Sequence, residues 1–218
     1  MGLRFIVFDC DGVIFESMDM KAKAFERIGD EFSPQYGEGI GRQLAAYHRG
    51  LGGVSRFEKF AWLYDTFVGR PITDAEKQAL GEKFVAYALE AIAASPLVPG
   101  VEDVLRNWHE RVPLYVASGA PEQELRFLLE KRGLAKFFTG IRGYPPGKTG
   151  LLRAILADAG LPAYDGLMVG DSATDMYSAE AVGMPFYGRG DFFRHSGYPW
   201  HEDLTQLDAH LAERFQED

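Results

Sequence analysis

Residues Phe5-Ile6-Val7-Phe8 are apolar without a break and run straight into Asp9-Cys10-Asp11-Gly12-Val13. Such a run reads as a strand buried on both faces, which is the pattern of a parallel sheet and points to an α/β fold. Strands of such sheets bind ligands beyond their carboxyl ends. An Asp/Gly turn would account for Gly12, but not for two carboxylates at the mouth of an apolar strand. Acids placed this close repel each other unless a cation or a shared proton lies between them. Oxygen donors of this kind suit a hard ion such as Mg²⁺. A carboxylate can also act as a nucleophile and carry a phosphoryl group.

After Gly12 the period changes. Met18, Ala22, Phe25 and Ile28 mark an amphipathic helix from about residue 17. Residues 31–53 hold Pro34 and six glycines and read as loop and turn. Gly37-Glu38-Gly39-Ile40-Gly41 follows no strand, and its third glycine comes one residue early for a dinucleotide loop. A second helix is expected over 55–68, with Phe57, Phe60, Ala61, Tyr64 and Phe67 along one side as core. A third opens at Thr73, whose spacing to Glu76 is that of a capping box, and stops before Pro96. No strand is expected between 17 and 93.

From Val98 onward strands and helices alternate. The expected strands are 112–117, 137–141, 166–169 and 185–187, and the expected helices are 101–110, 121–133, 151–159, 173–182 and 204–214. Residues 188–200 read as a glycine- and aromatic-rich loop. The architecture implied is a doubly wound parallel sheet built from residues 1–16 and 94–218. A helical segment, 17–93, is inserted near the carboxyl end of the first strand, where a lid would sit.

The strand ends share one edge of such a sheet. They carry Asp9 and Asp11, Ser118 with Gly119, and Asp171, and Lys148 precedes a helix nearby. Singly, Ser118 could cap a helix, Lys148 could be one more solvated lysine, and Asp171 and Asp175 could favour a helix N-terminus. Together the carboxylates can hold a cation, while the hydroxyl, backbone N–H groups and ammonium surround a phosphoryl group. Gly147-Lys148-Thr149 is not the end of a P-loop. The required first glycine is Arg142, and Tyr144-Pro145-Pro146 separates the motif from its strand.

These residues, in this order, resemble the four motifs of the haloacid dehalogenase-like hydrolase superfamily: Asp9-Cys10-Asp11-Gly12-Val13, Ser118, Lys148, and Gly170-Asp171-Ser172-Ala173-Thr174-Asp175. The inserted segment resembles the helical cap of the C1 type found in phosphoglycolate phosphatase-like and β-phosphoglucomutase-like members. The resemblance implies Asp9 as nucleophile, Asp11 as general acid and then base, and Ser118 and Lys148 as phosphoryl ligands. It places Mg²⁺ on the Asp9 and Asp171 carboxylates and the Asp11 backbone carbonyl, with Asp175 orienting Lys148 or a metal-bound water. Dehalogenase and phosphonatase members tend to replace the second aspartate, so Asp11 favours a phosphomonoester hydrolase. A phosphomutase stays open as the alternative; a non-catalytic phosphate-binding protein is the lesser one, since Asp9, Asp11, Ser118, Lys148 and Asp171 are all present.

The net charge of −9 argues against nucleic-acid or anionic-membrane partners and leaves a small phosphorylated metabolite. Cys10 is the only cysteine, so there is no intrachain disulfide, which fits the cytoplasm. Cys10 should point away from the two acids, since strand side chains alternate. Specificity is expected from the inserted segment, with His48, Arg49 and Arg56 as candidate substrate contacts and Lys59 one turn further on. The 187–200 loop is a second candidate for the entrance. A monomer and a homodimer fit the sequence equally.

Overall fold

The computed structural model describes residues 2–214. Six parallel strands form one sheet: β1 Phe5–Phe8, β2 Leu114–Pro121, β3 Gly140–Tyr144, β4 Gly166–Gly170, β5 Phe186–Arg189 and β6 Trp200–His201, in the order β3-β2-β1-β4-β5-β6. The apolar run of β1 has partners on both sides, Leu114–Val116 of β2 and Gly166–Val169 of β4. Its side chains alternate. Ile6, Phe8 and Cys10 face a core with Val101, Leu105, Trp108, Leu125 and Leu207, from helices α6 (Val101–Trp108), α7 (Glu122–Lys131) and α10 (Leu207–Arg214). Phe5 and Val7 face the opposite core with Leu151, Leu152, Ile155 and Ala179, from α8 (Lys148–Ala159) and α9 (Ala173–Val182). Cys10 thus ends in apolar packing, away from Asp9.

The chain leaves β1 through a tight turn, with Gly12 N–H donating to the Phe15 carbonyl at 2.8 Å. It comes back beside its own exit, where Glu16 N–H donates to Pro96 and Val98 N–H to Ile14. Between these paired linkers lie α1 (Met18–Asp30), α2 (Ser33–Tyr36), α3 (Ile40–Gly50), α4 (Arg56–Leu63) with a π-turn over Tyr64–Val68, and α5 (Asp74–Ala93). They have a core of their own around Phe25, Ile28, Leu44, Phe60, Leu80 and Phe84, to which Leu128 of α7 adds. Thr73 and Glu76 make the expected capping box.

Several expectations are corrected. The glycine-rich stretch contains α3, an 11-residue helix with Gly41 inside it. Interior glycine costs about 1 kcal/mol against alanine, so the local sequence argues for loop. Tertiary packing reverses this, because α1 and α3 cross where Gly29 meets Gly41. A Cβ on Gly29 would stand 2.6 Å from the Gly41 Cα. Phe137 lies in a 3₁₀ turn and the strand begins at Gly140, since the ring serves the core and not the sheet. The 188–200 region contributes β6, whose backbone pairs with β5. Lys148 is the first residue of α8, not a loop residue.

Gly29→Ala gains helix propensity of about 1 kcal/mol, yet its new methyl meets main chain that has no rotamer to change. We expect overpacking to win, with a net loss of about 1–3 kcal/mol in chemical denaturation. Unchanged or increased stability would mean that α1 and α3 are not locked at this crossing.

Candidate active site

The chain adds β2 and β3 on one side of β1 and β4 to β6 on the other, so the order of strand addition reverses between β1 and β4 while all strands stay parallel. A crevice opens beyond the carboxyl ends of strands at such a point. Asp9 follows β1 and Asp171 follows β4, and the Asp9 N–H donates to the Val169 carbonyl at 2.9 Å. The two carboxylates are neighbours because their strands are.

Lys148 enters from the first turn of α8. Its Nζ lies 2.8 Å from Asp9 Oδ1 and 2.5 Å from Asp175 Oδ1, with the side chain wholly buried. Burial alone would lower its pKa, but the charges of Asp175 and Asp9 outweigh that and hold it above the usual lysine value. Asp175 is fixed in turn: its Oδ2 accepts from Ser172 N–H and Ser172 Oγ–H at 3.1 and 2.6 Å, closing a capping box on α9. Asp9 Oδ1 also accepts the Cys10 N–H at 2.7 Å. Both anchors fall on Oδ1, which leaves Oδ2 open.

Asp9, Asp171 and Asp175 each bring a carboxylate oxygen within 4.8 Å of the others. Burial, and then the charge of Asp175, push the Asp9 carboxyl up to about 7. The same two causes raise Asp171 well above the carboxylate range. Asp175 is committed to Lys148 and Ser172, so Asp9 and Asp171 are the pair available to a cation. Gly12 is part of this cradle, since a Cβ there would sit 2.0 Å from Asp171 Oδ2. Crowded, mutually repelling oxygen donors fit a hard divalent ion.

The Asp11 side chain is elsewhere, which corrects the expectation of three carboxylates on one cation. It accepts from Ser17 Oγ–H at 2.6 Å and forms an ion pair with Lys21. Burial pushes the Asp11 carboxyl up, but the Lys21 charge and the two hydrogen bonds outweigh it and hold the pKa below the usual value. Any metal contact from Asp11 falls to its backbone carbonyl. Ser118 caps no helix, because Pro121 stands at the N-cap of α7; its buried Oγ accepts the Ala120 N–H at 3.1 Å, beside an irregularity in the β2–β3 register.

The loop between α3 and α4 presses on these strand ends. A Cβ on Gly119 would lie 2.4 Å from the Gly53 carbonyl oxygen, and one on Gly52 would lie 2.8 Å from Ser172. Beside this loop is a cavity of about 50 Å³ whose walls include Asp9, Asp11, Lys21, His48, Arg56 and Lys59. Arg49 is outside it, half exposed and 3.6 Å from Asp19. None of residues 187–200 lines it either: Tyr187 is buried in the core, and the segment belongs to the β5–β6 edge of the sheet. Arg56 reaches across to pair with Glu124 of α7. Lys21, Ser17 and Glu124 had no motif to mark them; each is defined by a partner distant in sequence.

The profile of the haloacid dehalogenase-like hydrolases matches residues 3–183. The chain belongs to the haloacid dehalogenase-like hydrolases. The phosphoglycolate phosphatase of Rhodospirillum rubrum is 31% identical over 204 residues, covering 83% of this chain and 76% of that protein. The phosphoglycolate phosphatase of Photobacterium profundum is 25% identical over 83% of this chain and 80% of its own. Among solved structures, a predicted phosphatase from Clostridium acetobutylicum superposes with a TM-score of 0.78 at 18% identity, over 98% of this chain and 100% of that one. The β-phosphoglucomutase of Clostridium difficile gives 0.78 at 15% identity, over 97% and 96%. At these identities the structures bear on the fold alone, and the family rests on the profile and the relatives.

An ionised Asp9 is costly in the metal-free hydrolase. Its folded pKa lies above its unfolded value, so the fold retains a proton that the unfolded chain has lost between about pH 4 and 7. Stability from this group therefore falls as pH rises through that window. Asp9→Asn should stabilise the metal-free protein at pH 8 by on the order of 2–4 kcal/mol, with the gain shrinking toward pH 4. A constant difference across that range in denaturant titrations would contradict the cause assigned to the raised pKa.

Proposed function

We propose that this hydrolase is a Mg²⁺-dependent phosphatase of a small phosphorylated carboxylic acid, of the 2-phosphoglycolate type. The observation that carries this reading is Asp9 at the sheet's switch point, with Oδ1 held by Lys148 and the Cys10 N–H and Oδ2 open. The named relatives support the phosphatase reading and suggest the substrate type. The cavity supports a small substrate: it measures about 50 Å³, where one water needs roughly 10–15 Å³ on the same kind of measure. We read residues 17–93 as a helical cap on a catalytic core of 1–16 and 94–218. Among the described residues no helix is long and apolar enough to cross a membrane. We take the protein to act in the cytoplasm, without nucleic acid, as a monomer or homodimer.

Asp9 Oδ2 attacks phosphorus, the ester oxygen leaves with a proton from Asp11, and an aspartyl-phosphate remains on Asp9. Asp11 then takes a proton from water as that water attacks phosphorus, releasing inorganic phosphate and restoring Asp9. Lys148 and Ser118 would bind phosphoryl oxygens and offset developing charge. Asp9, Asp171 and the Asp11 backbone carbonyl would hold Mg²⁺, which supplies neutralisation of phosphoryl charge. In the conformation described, the Lys21 pair keeps Asp11 ionised, the form that serves the water step. The leaving-group step needs Asp11 protonated, so separation from Lys21 belongs to the cycle.

Phosphate release from 2-phosphoglycolate should require Mg²⁺, stop with chelator and fall by at least ~10³ in Asp9→Asn. Asp11→Asn should cost about 10²–10⁴ with this alkyl ester and much less with an aryl phosphate, whose leaving group needs no proton. Equal losses on both esters would remove Asp11 from leaving-group protonation. Interconversion of phosphate isomers without net phosphate release would favour the mutase alternative.

A further inference from the structure

The inserted helices put four basic side chains at or near the cavity. Two already have a carboxylate: Lys21 pairs with Asp11, and Arg56 with Glu124. His48 and Lys59 do not. Lys59 is only 3% exposed, and among the described residues no carboxylate lies within ion-pairing distance of its ammonium. Its Nζ has the His48 Nδ1 at 2.9 Å and the Phe25 ring centroid at 5.5 Å. An ammonium donating to Nδ1 fixes the histidine as the tautomer protonated on Nε2.

Buried charges are normally paired, because desolvation of an isolated ion is not repaid by a neutral partner. Here the residue is placed without a counter-ion on the wall of a cavity that also holds Asp9. Burial, and then the nearby Lys21 charge, press the Lys59 pKa down to about 7, outweighing the more distant charges of Asp11, Glu58 and Asp9, which raise it. Within the fold its amine meets a neutral imidazole and a ring face, and neither supplies a full negative charge. A bound anion would supply it.

We propose that Lys59, oriented by His48, binds the substrate's carboxylate and so sets specificity, while Arg56 tethers the α4 end to α7 through Glu124. The inference rests on the phosphatase reading above and adds the second recognition point. A single ammonium matches the unit charge of a carboxylate; a second phosphate, with a charge near −2 and three acceptor oxygens, would be left undercompensated. Two residues that look alike in sequence are thereby distinguished. Arg56 and Lys59 sit one turn apart on the same helix, yet only one has an anion already.

The test uses ligand binding, so it does not depend on turnover. In full-length protein carrying Asp9→Asn, with Mg²⁺ present, isothermal titration would compare 2-phosphoglycolate, ethyl phosphate and inorganic phosphate, with and without Lys59→Met. Charge-assisted hydrogen bonds of this kind correspond to about 10–100-fold in affinity. We expect 2-phosphoglycolate to bind that much more tightly than ethyl phosphate, and Lys59→Met to abolish the difference. Inorganic phosphate should bind both proteins alike, which also reports that the variant is folded. Equal binding of the two esters before the substitution, or a preference that survives it, would overturn the role of Lys59. Weakening of all three ligands together would assign Lys59 to the general integrity of the site and equally overturn it. Absence of phosphate binding altogether would remove the phosphatase reading and this inference with it. If phosphate and ethyl phosphate bind normally, loss of the Lys59 effect leaves the phosphatase reading standing.

Discussion

The buried ammonium of Lys148, held between Asp9 and Asp175, is the interaction on which the rest of the site depends. Without it, three carboxylate groups would crowd the switch point of the sheet with no positive charge among them. Its position is inherited from the whole topology. Asp9 is fixed by β1, Asp175 by the first turn of α9, and Lys148 by the first turn of α8, so the contact forms only once both crossovers have packed on the same face. The result is charge compensated in one direction and left open in another. Asp9 Oδ1 and Asp175 are satisfied, while Asp9 Oδ2 and Asp171 retain mutual repulsion that a divalent cation can relieve. If Asp9 is the nucleophile, as proposed, fold stability and chemistry are opposed there, as expected where a reactive group is held ready at a cost to stability.

The helical segment follows a different logic. It returns to the sheet beside its own point of departure, joined by hydrogen bonds between residues 14–16 and 96–98. Its core is largely its own, and its reach toward the strand ends comes through the Gly52-Gly53 loop and the Arg56–Glu124 pair. Small residues at the loop let backbone approach Gly119 and Ser172. Charged residues behind it meet the cavity. Under the proposed function such an arrangement would put phosphoryl chemistry at the strand ends and selectivity on the helices, so that each could vary without rebuilding the other.

Much of this was legible from the chain. β1 could be read because a strand buried on both faces has no polar alternation, Asp9, Ser118 and Asp171 because each stands at the carboxyl end of an apolar run, and Lys148 because it precedes a helix. The Ser172–Asp175 and Thr73–Glu76 boxes are local in sequence and local in space. What escaped was set at long range. α3 was hidden because Gly41 lowers local helix propensity, and only its meeting with Gly29 on another helix explains it. Lys21 and Ser17, which hold Asp11 away from the acidic cluster, carry no periodic signal. Arg49, Arg56 and Lys59 could not be ranked from sequence, because what distinguishes them is whether a carboxylate on another element is within reach. The first faces Asp19, the second faces Glu124, and the third has no carboxylate within ion-pairing distance among the described residues.

The central claim is that Asp9 carries the phosphoryl group. Rapid quench of the Mg²⁺-loaded protein during turnover of 2-phosphoglycolate, followed by borohydride reduction, converts an aspartyl-phosphate into homoserine. Mass spectrometry of the peptide containing residues 5–21 would locate it. The account predicts homoserine at position 9, at a level that rises with substrate and is absent without Mg²⁺. Turnover that proceeds with Asp9 unmodified, or with the label on another carboxylate, would contradict it.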